Sequence, residues 1–399
     1  MMKMSKLRLL IACSFQPSPH SWGGGAIVAR QLIDFLVRSR VEVGILTRTR
    51  EDRLNVLDGI AMRFAMASLN ELLDVYDPWG ELLLKSVKDF APDVAYIHNL
   101  HDGFSLRFVK KLRRMGIPCV AMFHDLWPLC ARYNLAEEGW KLCRAPSFIK
   151  CLRCRRDIPH QLRLPGRHVV IREFLKRYLN KIVVPSRFAK KCLINAGYPE
   201  EIIKVIPNGV DPGLFKPPSG KSKLFTVLYV GRPSYKKGVF HLIKACAKLV
   251  RKKQELELMI VGGPIYERLK IYASKLGFIK LTGVLPYSNL PAMYQRAHVY
   301  VQPSLIHDNF PLTVLEALAS ANPIIAARVG GLREQVGRAG FLVKPGDVNE
   351  LANAIEILYS NEDLRKRLAI EARRRAEVFF DIKKTAKMHL RVLEELAMT

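Results

Sequence analysis

The stretch that decides the fold is PSLIHDNFPLTVLEALASANP, residues 303–323. Pro311 stands where a helix would begin, a position that suits a residue without an N–H group. The helix that follows is apolar on almost every side, and Glu316 is its one charged residue. Strand patterns at 299–302 and 323–326 flank this stretch. A strand, a loop, a helix and a second strand in this order indicate one βα unit of a parallel sheet.

The same alternation of strand and helix continues outward in both directions. Strand patterns lie at 7–14, 41–47, 94–98, 119–124, 181–185, 204–207, 225–230, 256–261 and 341–343. Helical patterns, such as 26–37 and 104–115, lie between them. Repeated βα units predict parallel sheets that are covered by helices on both faces.

A segment dense in Pro and Gly, residues 208–222, interrupts this pattern and predicts a linker. The length of 399 residues suits two domains of about 200 residues each. We therefore predict an α/β protein with two Rossmann-like, doubly wound parallel-sheet domains, residues 1–212 and 213–382. A C-terminal helix at about 383–399 is expected to return to the first domain. Two such domains would place the carboxyl ends of their strands across a central cleft, where open α/β sheets bind ligands.

Charge and hydropathy narrow the class of protein. The net charge of +28 implies attraction to nucleic acid, to an anionic membrane surface or to substrates that carry phosphate. No apolar run reaches the roughly 18 residues that span a bilayer. The start of the chain, residues 1–15, resembles a weak signal peptide, but a glycine cluster follows it. We interpret it as the first strand and expect a cytoplasmic protein.

Glu316 is the first candidate for ligand binding. A carboxylate on a nearly all-apolar helix is costly unless a partner satisfies it, and a ribose diol would do so. The start of that helix, residues 309–313, presents free N–H groups to a diphosphate. Asp308 lies on the loop that faces the same place. The alternative is that Glu316 pairs with an Arg or Lys at the domain surface.

A second candidate segment is VGRPSYKKG, residues 230–238, directly after a strand. Gly231 lets the backbone turn, so that Arg232 leaves the carboxyl end of the strand, and Lys237 can reach the same place. Two cations there would neutralise the charge on a departing diphosphate. The alternative is a solvated basic loop in a very basic protein.

The first half of the chain offers two weaker candidates. Gly23 and Gly24 follow the first strand and open a helix, where small residues allow close approach to a phosphate or a sugar. His124 and Asp125 end another predicted strand at the edge of the cleft. A tight turn and a structural histidine are the alternatives.

Taken together, these segments resemble family 4 of the retaining glycosyltransferases, which have the GT-B fold. The matching motifs are the Gly-Gly start, HDLW at 124–127, VPSRFAKK at 184–191, IPNGVD at 206–211, VGRPSYKKG at 230–238, IVGGP at 260–264, the Asp308–Glu316 segment and VGG at 329–331. The resemblance implies that Arg232 and Lys237 bind the diphosphate of a nucleotide-sugar donor and that Glu316 binds its ribose.

The resemblance also assigns roles to the remaining candidates. Asp308 would face the donor sugar, supported by the backbone of Asn309, Phe310, Pro311 and Leu312. His124, Gly23 and Gly24 would contact the sugar and the phosphates. Family members usually have Glu at position 308 and Gly at 309 and 311, so the shorter carboxylate is expected to affect the choice of sugar. The reaction would need no metal and no other cofactor, and retention without a nucleophile would follow from attack on the face that the leaving group departs.

An insertion at about 128–178 has a different character. Cys130, Cys143, Cys151 and Cys154 have the spacing C-x12-C-x7-C-x2-C, which fits a structural zinc site or, less often, an iron–sulfur cluster. Reduced thiols in a flexible loop are the alternative. Cys13, Cys119, Cys192 and Cys246 fall within strand or helix patterns and are expected in the core.

The insertion is also strongly basic. Its cationic residues are Lys141, Arg144, Lys150, Arg153, Arg155, Arg156, Arg163, Arg167, Arg172, Lys176 and Arg177. Interleaved apolar residues such as Val169 and Val170 would allow peripheral docking on an anionic membrane and access to a lipid-linked acceptor. A solvated basic face is the alternative.

The leading hypothesis is an enzyme that moves a hexose from a UDP- or GDP-sugar to a glycan or a lipid-linked acceptor. One alternative is a GT-B subunit that has lost catalysis. A nucleic-acid-binding protein fits less well, because the basic residues are not combined with exposed aromatics in a recognisable module.

Overall fold

The computed structural model describes residues 6–13, 23–47, 56–57, 60–64, 80–100, 106–130, 132–136, 142–143, 151, 167–218, 220, 222–252 and 254–398. The chain forms two compact units. Unit 1 comprises residues 1–135, 143–207 and 385–399, and unit 2 comprises residues 136–142 and 208–384.

Unit 1 contains an eight-stranded sheet within the described part of the chain. Its strands are β1 (Arg8–Cys13), β2 (Glu42–Thr47), β3 (Val56–Leu57), β4 (Ile60–Phe64), β5 (Val94–His98), β6 (Cys119–Met122), β7 (Lys181–Val184) and β8 (Ile203–Val205). Their order in space is β3-β4-β2-β1-β5-β6-β7-β8, and every pairing is parallel except that of β3 with β4.

The helices of unit 1 lie between its strands and at its C-terminus. They are α1 (Gly24–Arg38), α2 (Gly80–Phe90), α3 (Leu106–Arg114), α4 (Arg167–Tyr178), α5 (Arg187–Asn195) and, at the end of the chain, α13 (Ile382–Ala397). Ser186 caps α5, because its hydroxyl accepts a hydrogen bond from the Ala189 N–H at 3.0 Å. The strands β1, β5 and β6 are almost entirely buried, as expected for a parallel sheet that is covered on both faces.

Unit 2 contains a six-stranded, all-parallel sheet in the order β11-β10-β9-β12-β13-β14. Its strands are β9 (Phe225–Val230), β10 (Leu256–Val261), β11 (Ile279–Gly283), β12 (Val299–Gln302), β13 (Ile324–Ala327) and β14 (Gly340–Val343). Its helices are α6 (Val239–Arg251), α7 (Glu267–Leu276), α8 (Leu290–Arg296), α9 (Leu312–Ala319), α10 (Leu332–Val336), α11 (Val348–Ser360) and α12 (Glu362–Phe379).

The strand order places a topological switch point in each sheet. In unit 2 the chain proceeds from β9 outward to β10 and β11, then returns to the other side of β9 with β12. In unit 1 the corresponding switch lies between β1 and β5. Ligands of open α/β sheets bind beyond the carboxyl ends of the strands at such points. The loops that follow these strands are therefore the places to look for a site.

The predicted strand–helix alternation is confirmed, but three strands were not predicted. β11 has the sequence IKLTG at the edge of its sheet, and its residues are half-buried or exposed, so it lacks the apolar run of an interior strand. β3 and β4 are an antiparallel pair at the other sheet's edge, and β3 has only two residues. Periodicity detects buried strands more readily than such edges.

Cys13, Cys119 and Cys246 are buried in the core as predicted, and the half-buried Cys192 packs against it. Most of the basic insertion lies outside the described residues, and its last part forms α4. No helix in the described ranges is long and apolar enough to cross a membrane.

Candidate functional site

The loop after β9 and the loop after β12 meet at the switch point of unit 2. Gly238 has a left-handed backbone (φ 76°), and a Cβ atom there would lie 1.8 Å from the Pro303 carbonyl oxygen. The Leu305 N–H also donates to the Lys236 carbonyl oxygen at 2.9 Å. Only glycine fits this contact, which brings the predicted cationic loop against the predicted acidic one.

Lys237 and Asp308 form the centre of this site. The Lys237 ammonium donates to Oδ1 of Asp308, and the carboxylate is buried while the lysine side chain keeps about a quarter of its exposure. The second carboxylate oxygen, Oδ2, accepts hydrogen bonds from Gln302 Nε2 at 2.9 Å and from the Ser304 hydroxyl. Both oxygens of Asp308 are therefore engaged by protein groups.

The ionisation of Asp308 follows from these contacts. Burial by itself raises the pKa of this carboxyl, but the Lys237 charge and the hydrogen bonds from Lys237, Ser304 and Gln302 outweigh burial. The net result is a pKa below the ordinary value, so Asp308 is a carboxylate at neutral pH. The ion pair thus places the Lys237 cation after β9, with the buried Asp308 carboxylate as its counter-ion.

Arg232 supplies a second cation. It follows β9, its side chain is exposed, and its guanidinium makes no ion pair with a described residue. Its backbone is fixed, because the buried Tyr229 hydroxyl donates to the Arg232 carbonyl oxygen at 2.9 Å. The loop is therefore fixed at the backbone of Arg232 and at the side chain of Lys237, while the Arg232 side chain is exposed to solvent.

The loop of residues 308–311 is held through its carbonyl groups. Asp308 O accepts from the Gly331 N–H at 2.9 Å, Phe310 O from Asn208 Nδ2 at 2.8 Å, and Pro311 O from Gln335 Nε2 at 2.9 Å. Gly330 permits the first of these contacts, since a Cβ atom on it would lie 2.1 Å from Asp308 O. Fixing the carbonyl groups in this way fixes the orientation of the intervening amides.

Those amides stand at the start of α9. The N–H groups of Phe310 and Leu312 have no acceptor among the described residues. The first N–H groups of a helix have no partner within the helix, and with the helix dipole they favour an anion. Two side-chain cations and this helix start together form an arrangement suited to a diphosphate.

Glu316 lies one turn further along α9 and is 2% exposed. Its Oε2 accepts a hydrogen bond from the fully buried Tyr294 hydroxyl at 2.7 Å. Burial raises the pKa of Glu316 to about 7, and hydrogen bonds from Tyr294 and Tyr287 lower it only in part. The predicted alternative of an Arg or Lys partner is wrong as far as the described residues go, because its partners are phenols.

The polar residues beside the switch point of unit 1, at the carboxyl ends of β5 and β6, are of a different kind. His124 and Asp125 follow β6, as predicted, and Asn99 holds both of them after β5. The His124 imidazole lies 3.0 Å from the imidazole of His98, the last residue of β5. Gly23 caps α1, Gly24 begins it, and a Cβ atom on Gly23 would meet nothing within 4 Å. Packing within the described protein therefore does not require a glycine at position 23.

The predicted cysteine site is not assembled in the described part of the chain. Cys130, Cys143 and Cys151 are half-buried, and no group of three or more His, Cys, Asp or Glu residues there is placed to hold a metal ion. Cys154 lies outside the described residues. The three described cysteines do not form a metal-binding group among themselves, and the four-cysteine site stays a prediction.

Several residues of these sites were not singled out from the sequence: Tyr294, Gln302, Ser304, Asn208, Gln335, His98 and Asn99. Asn208 falls within the IPNGVD motif, and Ser304 within the opening stretch, but neither has a local feature that identifies its partner. His98 and Asn99 end a predicted strand, so a search for polar residues at strand ends would have found them.

Comparison with solved structures identifies the fold of this protein. A sucrose-phosphate synthase from Thermosynechococcus elongatus superimposes with a TM-score of 0.77 at 20% identity, over 98% of this chain and 99% of that one. Anabaena HepE in complex with UDP and glucose gives a TM-score of 0.70 at 19% identity, over 96% of this chain and 99% of that one. The fold is the predicted GT-B fold, with two Rossmann-like α/β domains.

Sequence comparison identifies the family. The model for glycosyl transferases group 1 matches residues 214–375, and the model for glycosyltransferase family 4 matches residues 22–214. An MMP alpha-(1->4)-mannosyltransferase from Mycolicibacterium hassiacum is 32% identical over 298 residues, which is 71% of this chain and 67% of that protein. The chain belongs to the group 1 glycosyl transferases, and it is a glycosyltransferase enzyme.

Proposed function

We propose that this enzyme transfers a hexose from a nucleotide diphosphate sugar to a hydroxyl group of a glycan or lipid-linked acceptor, with retention of configuration and without a metal. One observation carries the proposal: two cations, the free amides of a helix start and a buried carboxyl group all lie on the segments that follow β9 and β12 at the switch point of unit 2.

The donor would bind through complementary charge and hydrogen bonding. Arg232, Lys237 and the amides of Phe310 and Leu312 would hold the diphosphate. Glu316 would accept hydrogen bonds from the two ribose hydroxyls, with Tyr294 fixing its other lone pairs. HepE, which shares the fold, holds UDP and glucose, and this supports a nucleotide-sugar donor here. The preference for UDP or GDP is a matter for the experiment below.

The chemistry would be driven by stabilising the leaving group. As the bond from the sugar C1 to the diphosphate oxygen breaks, Lys237, Arg232 and the helix start would neutralise the negative charge that develops there. These groups supply what a divalent cation supplies in other transferases. The acceptor oxygen would bond to C1 from the same face, and its proton would pass to the departing diphosphate. This route follows the family resemblance.

The role of Asp308 is refined by its contacts. Because both of its oxygens accept hydrogen bonds from protein groups, we propose that it acts mainly as the counter-ion that orients Lys237. Its backbone would still face the donor sugar. Gln302 and Ser304 donate hydrogen bonds to this shorter side chain, which stands where the family usually has Glu.

The donor site is tested by nucleotide binding. UDP, GDP, ADP and TDP would be titrated into the wild type and into Glu316→Gln, which keeps the size of the side chain and removes its charge. One nucleotide should raise the melting temperature of the wild type and bind the variant about 10–100-fold more weakly, the worth of a hydrogen bond to a charged group. Absence of binding by all four would contradict the proposal, and would favour a subunit without catalysis.

The acceptor side is proposed to meet the cytoplasmic face of a membrane. On α3 and α4 of unit 1, Arg107, Arg114, Lys176 and Arg177 are exposed, and Val169 and Val170, near the start of α4, are 40% and 61% exposed. Cations with exposed aliphatic residues suit an anionic lipid surface.

Vesicle sedimentation tests this surface. The wild type should sediment with vesicles that contain phosphatidylglycerol and much less with phosphatidylcholine alone. Lys176→Glu with Arg177→Glu should reduce the difference, and Lys366→Glu with Arg367→Glu, the same charge change on α12, should not. Equal sedimentation with both kinds of vesicle would rule out electrostatic docking.

A further inference from the structure

Two pairs of adjacent residues connect the carboxyl ends of β5 and β6. His98 is the last residue of β5 and Asn99 follows it, and they face His124 and Asp125, which follow β6. Asn99 Oδ1 accepts a hydrogen bond from the His124 N–H at 3.1 Å, and Asn99 Nδ2 donates to Asp125 Oδ2 at 3.1 Å. His98 Nδ1 lies 3.0 Å from His124 Nε2. The backbone and the side chain of His124 are therefore both held from β5.

Asn99 adopts an unusual backbone conformation to make these contacts. Its φ is 51°, in the left-handed region, and its N–H donates to the Met122 carbonyl oxygen at 3.1 Å. Asparagine tolerates this region better than other residues with a side chain. Residues in such conformations persist where the surroundings enforce them, and they cluster at functional sites. Asn99 therefore makes its hydrogen bonds to His124 and Asp125 from a backbone conformation that carries some strain.

His98 is a neutral imidazole. It is fully buried, and burial holds its pKa well below the ordinary value, with the positive forms of His124 and His389 adding to the effect. Behind it, the Tyr96 hydroxyl lies 2.7 Å from His389 Nδ1, and the Tyr96 ring packs edge-on to His98 at 4.7 Å. Burial also lowers the pKa of His389, to about 3. No anion among these neighbours would favour a charged His98.

A neutral imidazole carries one proton, on either Nδ1 or Nε2. The hydrogen-bond partners of the two nitrogens decide which of them carries it. His98 Nε2 is buried and has no hydrogen-bond partner among the described residues. A proton on Nε2 would leave a buried N–H group without an acceptor, which is the rarer kind of unpaired group in proteins. A proton on Nδ1 is used in the bond to His124.

We propose that His98 is a positioning residue that donates its Nδ1–H to Nε2 of His124 and thereby fixes His124 as the neutral tautomer with the proton on Nδ1. In this form Nε2 of His124 accepts the hydrogen bond from His98 and is not available as a base. Asn99 sets the backbone from which the ring projects. The inference rests on the proposed function, because its expected effect on kcat presupposes sugar transfer.

The tautomer can be measured directly in the full chain. With ¹⁵N-labelled histidine, long-range ¹H–¹⁵N spectra separate protonated from unprotonated ring nitrogens, and His124→Asn identifies the signals. At pH 7.5 the wild type should show His124 protonated on Nδ1 and unprotonated on Nε2. A protonated Nε2 on His124 would overturn the proposal, and this measurement needs no variant of His98.

Variants of His98 then test the consequence. His98→Phe fills similar space without a donor, and it should give His124 a mixture of tautomers and lower kcat about tenfold, the effect of one lost hydrogen bond. His98→Asn, which returns an amide near the position of Nδ1, should recover part of kcat. His389→Phe is the matched control, because it removes a neighbouring buried imidazole without touching His124, and it should leave the tautomer unchanged. An unaltered tautomer in His98→Phe would overturn the proposal.

Nucleotide binding separates this inference from the proposed function. The donor site is built by unit 2, so the nucleotide affinity of His98→Phe should equal that of the wild type. If the wild type binds no nucleotide diphosphate, the proposed function fails, whatever the tautomer. If it binds one but His124 carries its proton on Nε2, the inference about His98 alone fails.

Discussion

The polar groups at the switch point of unit 2 differ from those beside the switch point of unit 1. At the carboxyl ends of β9 and β12, ionised groups predominate: Lys237 and Asp308 are paired, Arg232 is exposed, and Glu316 is a buried carboxyl group. At the carboxyl ends of β5 and β6, two imidazoles and an amide accompany a single carboxylate, that of Asp125. The first arrangement suits an anion such as a diphosphate, and the second suits neutral hydroxyl groups. The parallel-sheet framework thus sets where a ligand binds, and the loops set what kind of ligand it is.

The largest effect is expected from removing the ammonium group of Lys237 in unit 2. Lys237→Met should lower kcat about 10²–10³-fold, because charge on the leaving diphosphate loses its main stabiliser. It should also destabilise unit 2, since Asp308 is left buried without its counter-ion. Adding Asp308→Asn should restore much of the stability in urea and none of the activity.

Lys252→Met is the control for that pair of variants. Lys252 makes an exposed ion pair with Glu356 at 2.9 Å. Removing it should lower the free energy of unfolding by at most about 1 kcal/mol and leave kcat unchanged. Full activity in Lys237→Met would refute the contrast between a charged and a neutral switch point.

Glu316 should give the next largest effect, on stability as a function of pH. Its pKa in the folded protein, about 7, lies above its ordinary value of 4.5. The stability contributed by its protonated form is therefore fully present below about pH 4.5 and is lost as the pH rises through 7. Glu316→Gln should match the wild type at pH 4.5 and exceed its unfolding free energy by about 1–3 kcal/mol at pH 8.5, because no charge is then buried.

Thermal or urea unfolding at the two pH values measures this difference. A variant less stable than the wild type at pH 8.5 would show that the carboxylate is well solvated or paired. The expected combination of higher stability and weaker nucleotide binding would mark Glu316 as a residue kept for a ligand.

A smaller effect on nucleotide binding is expected from Asn208, which holds the loop of residues 308–311 in unit 2. Asn208→Ala removes the amide that holds Phe310 O, and it should lower nucleotide affinity about 3–10-fold and stability by about 1 kcal/mol. Asn361→Ala, which removes the cap of α12, should cost a similar free energy of unfolding and leave the affinity unchanged. Calorimetric titration of both variants decides whether the fixed carbonyl groups matter for anion binding.

The smallest effect on stability is expected at Gly23 in unit 1. Its surroundings leave space for a methyl group, so Gly23→Ala should change the unfolding free energy by no more than about 1 kcal/mol. A clear loss of transfer activity with unchanged nucleotide affinity would mean that the sugar or the acceptor approaches this backbone closely. Unchanged activity would limit the functional residues of unit 1 to those at the carboxyl ends of β5 and β6, where His98 and His124 lie.

Much of the fold and part of the site could be predicted from local sequence. The strand FTVLYV of β9 is buried throughout, and its apolar run and the following glycine place Arg232 at a strand end without knowledge of the fold. Pro311 and the apolar helix after it locate α9 and Glu316 in the same way. The edge strand β11 was missed because half of its surface faces solvent, and the cysteine spacing predicted a cluster that the described residues do not form.

The sequence by itself determined which residues end strands and begin helices, because those choices depend on hydropathy period and backbone preference over a few residues. The tertiary structure alone decided their partners: Lys237 and Asp308 are 71 positions apart, Asn208 and Phe310 are 102 apart, and His98 and His124 are 26 apart. These pairs meet because β9 lies beside β12 and β5 beside β6. Strand order minimises the exposure of the whole sheet, and no local pattern encodes it. Burial, which raises the pKa of Glu316 and keeps His98 neutral, exists only once that order is complete.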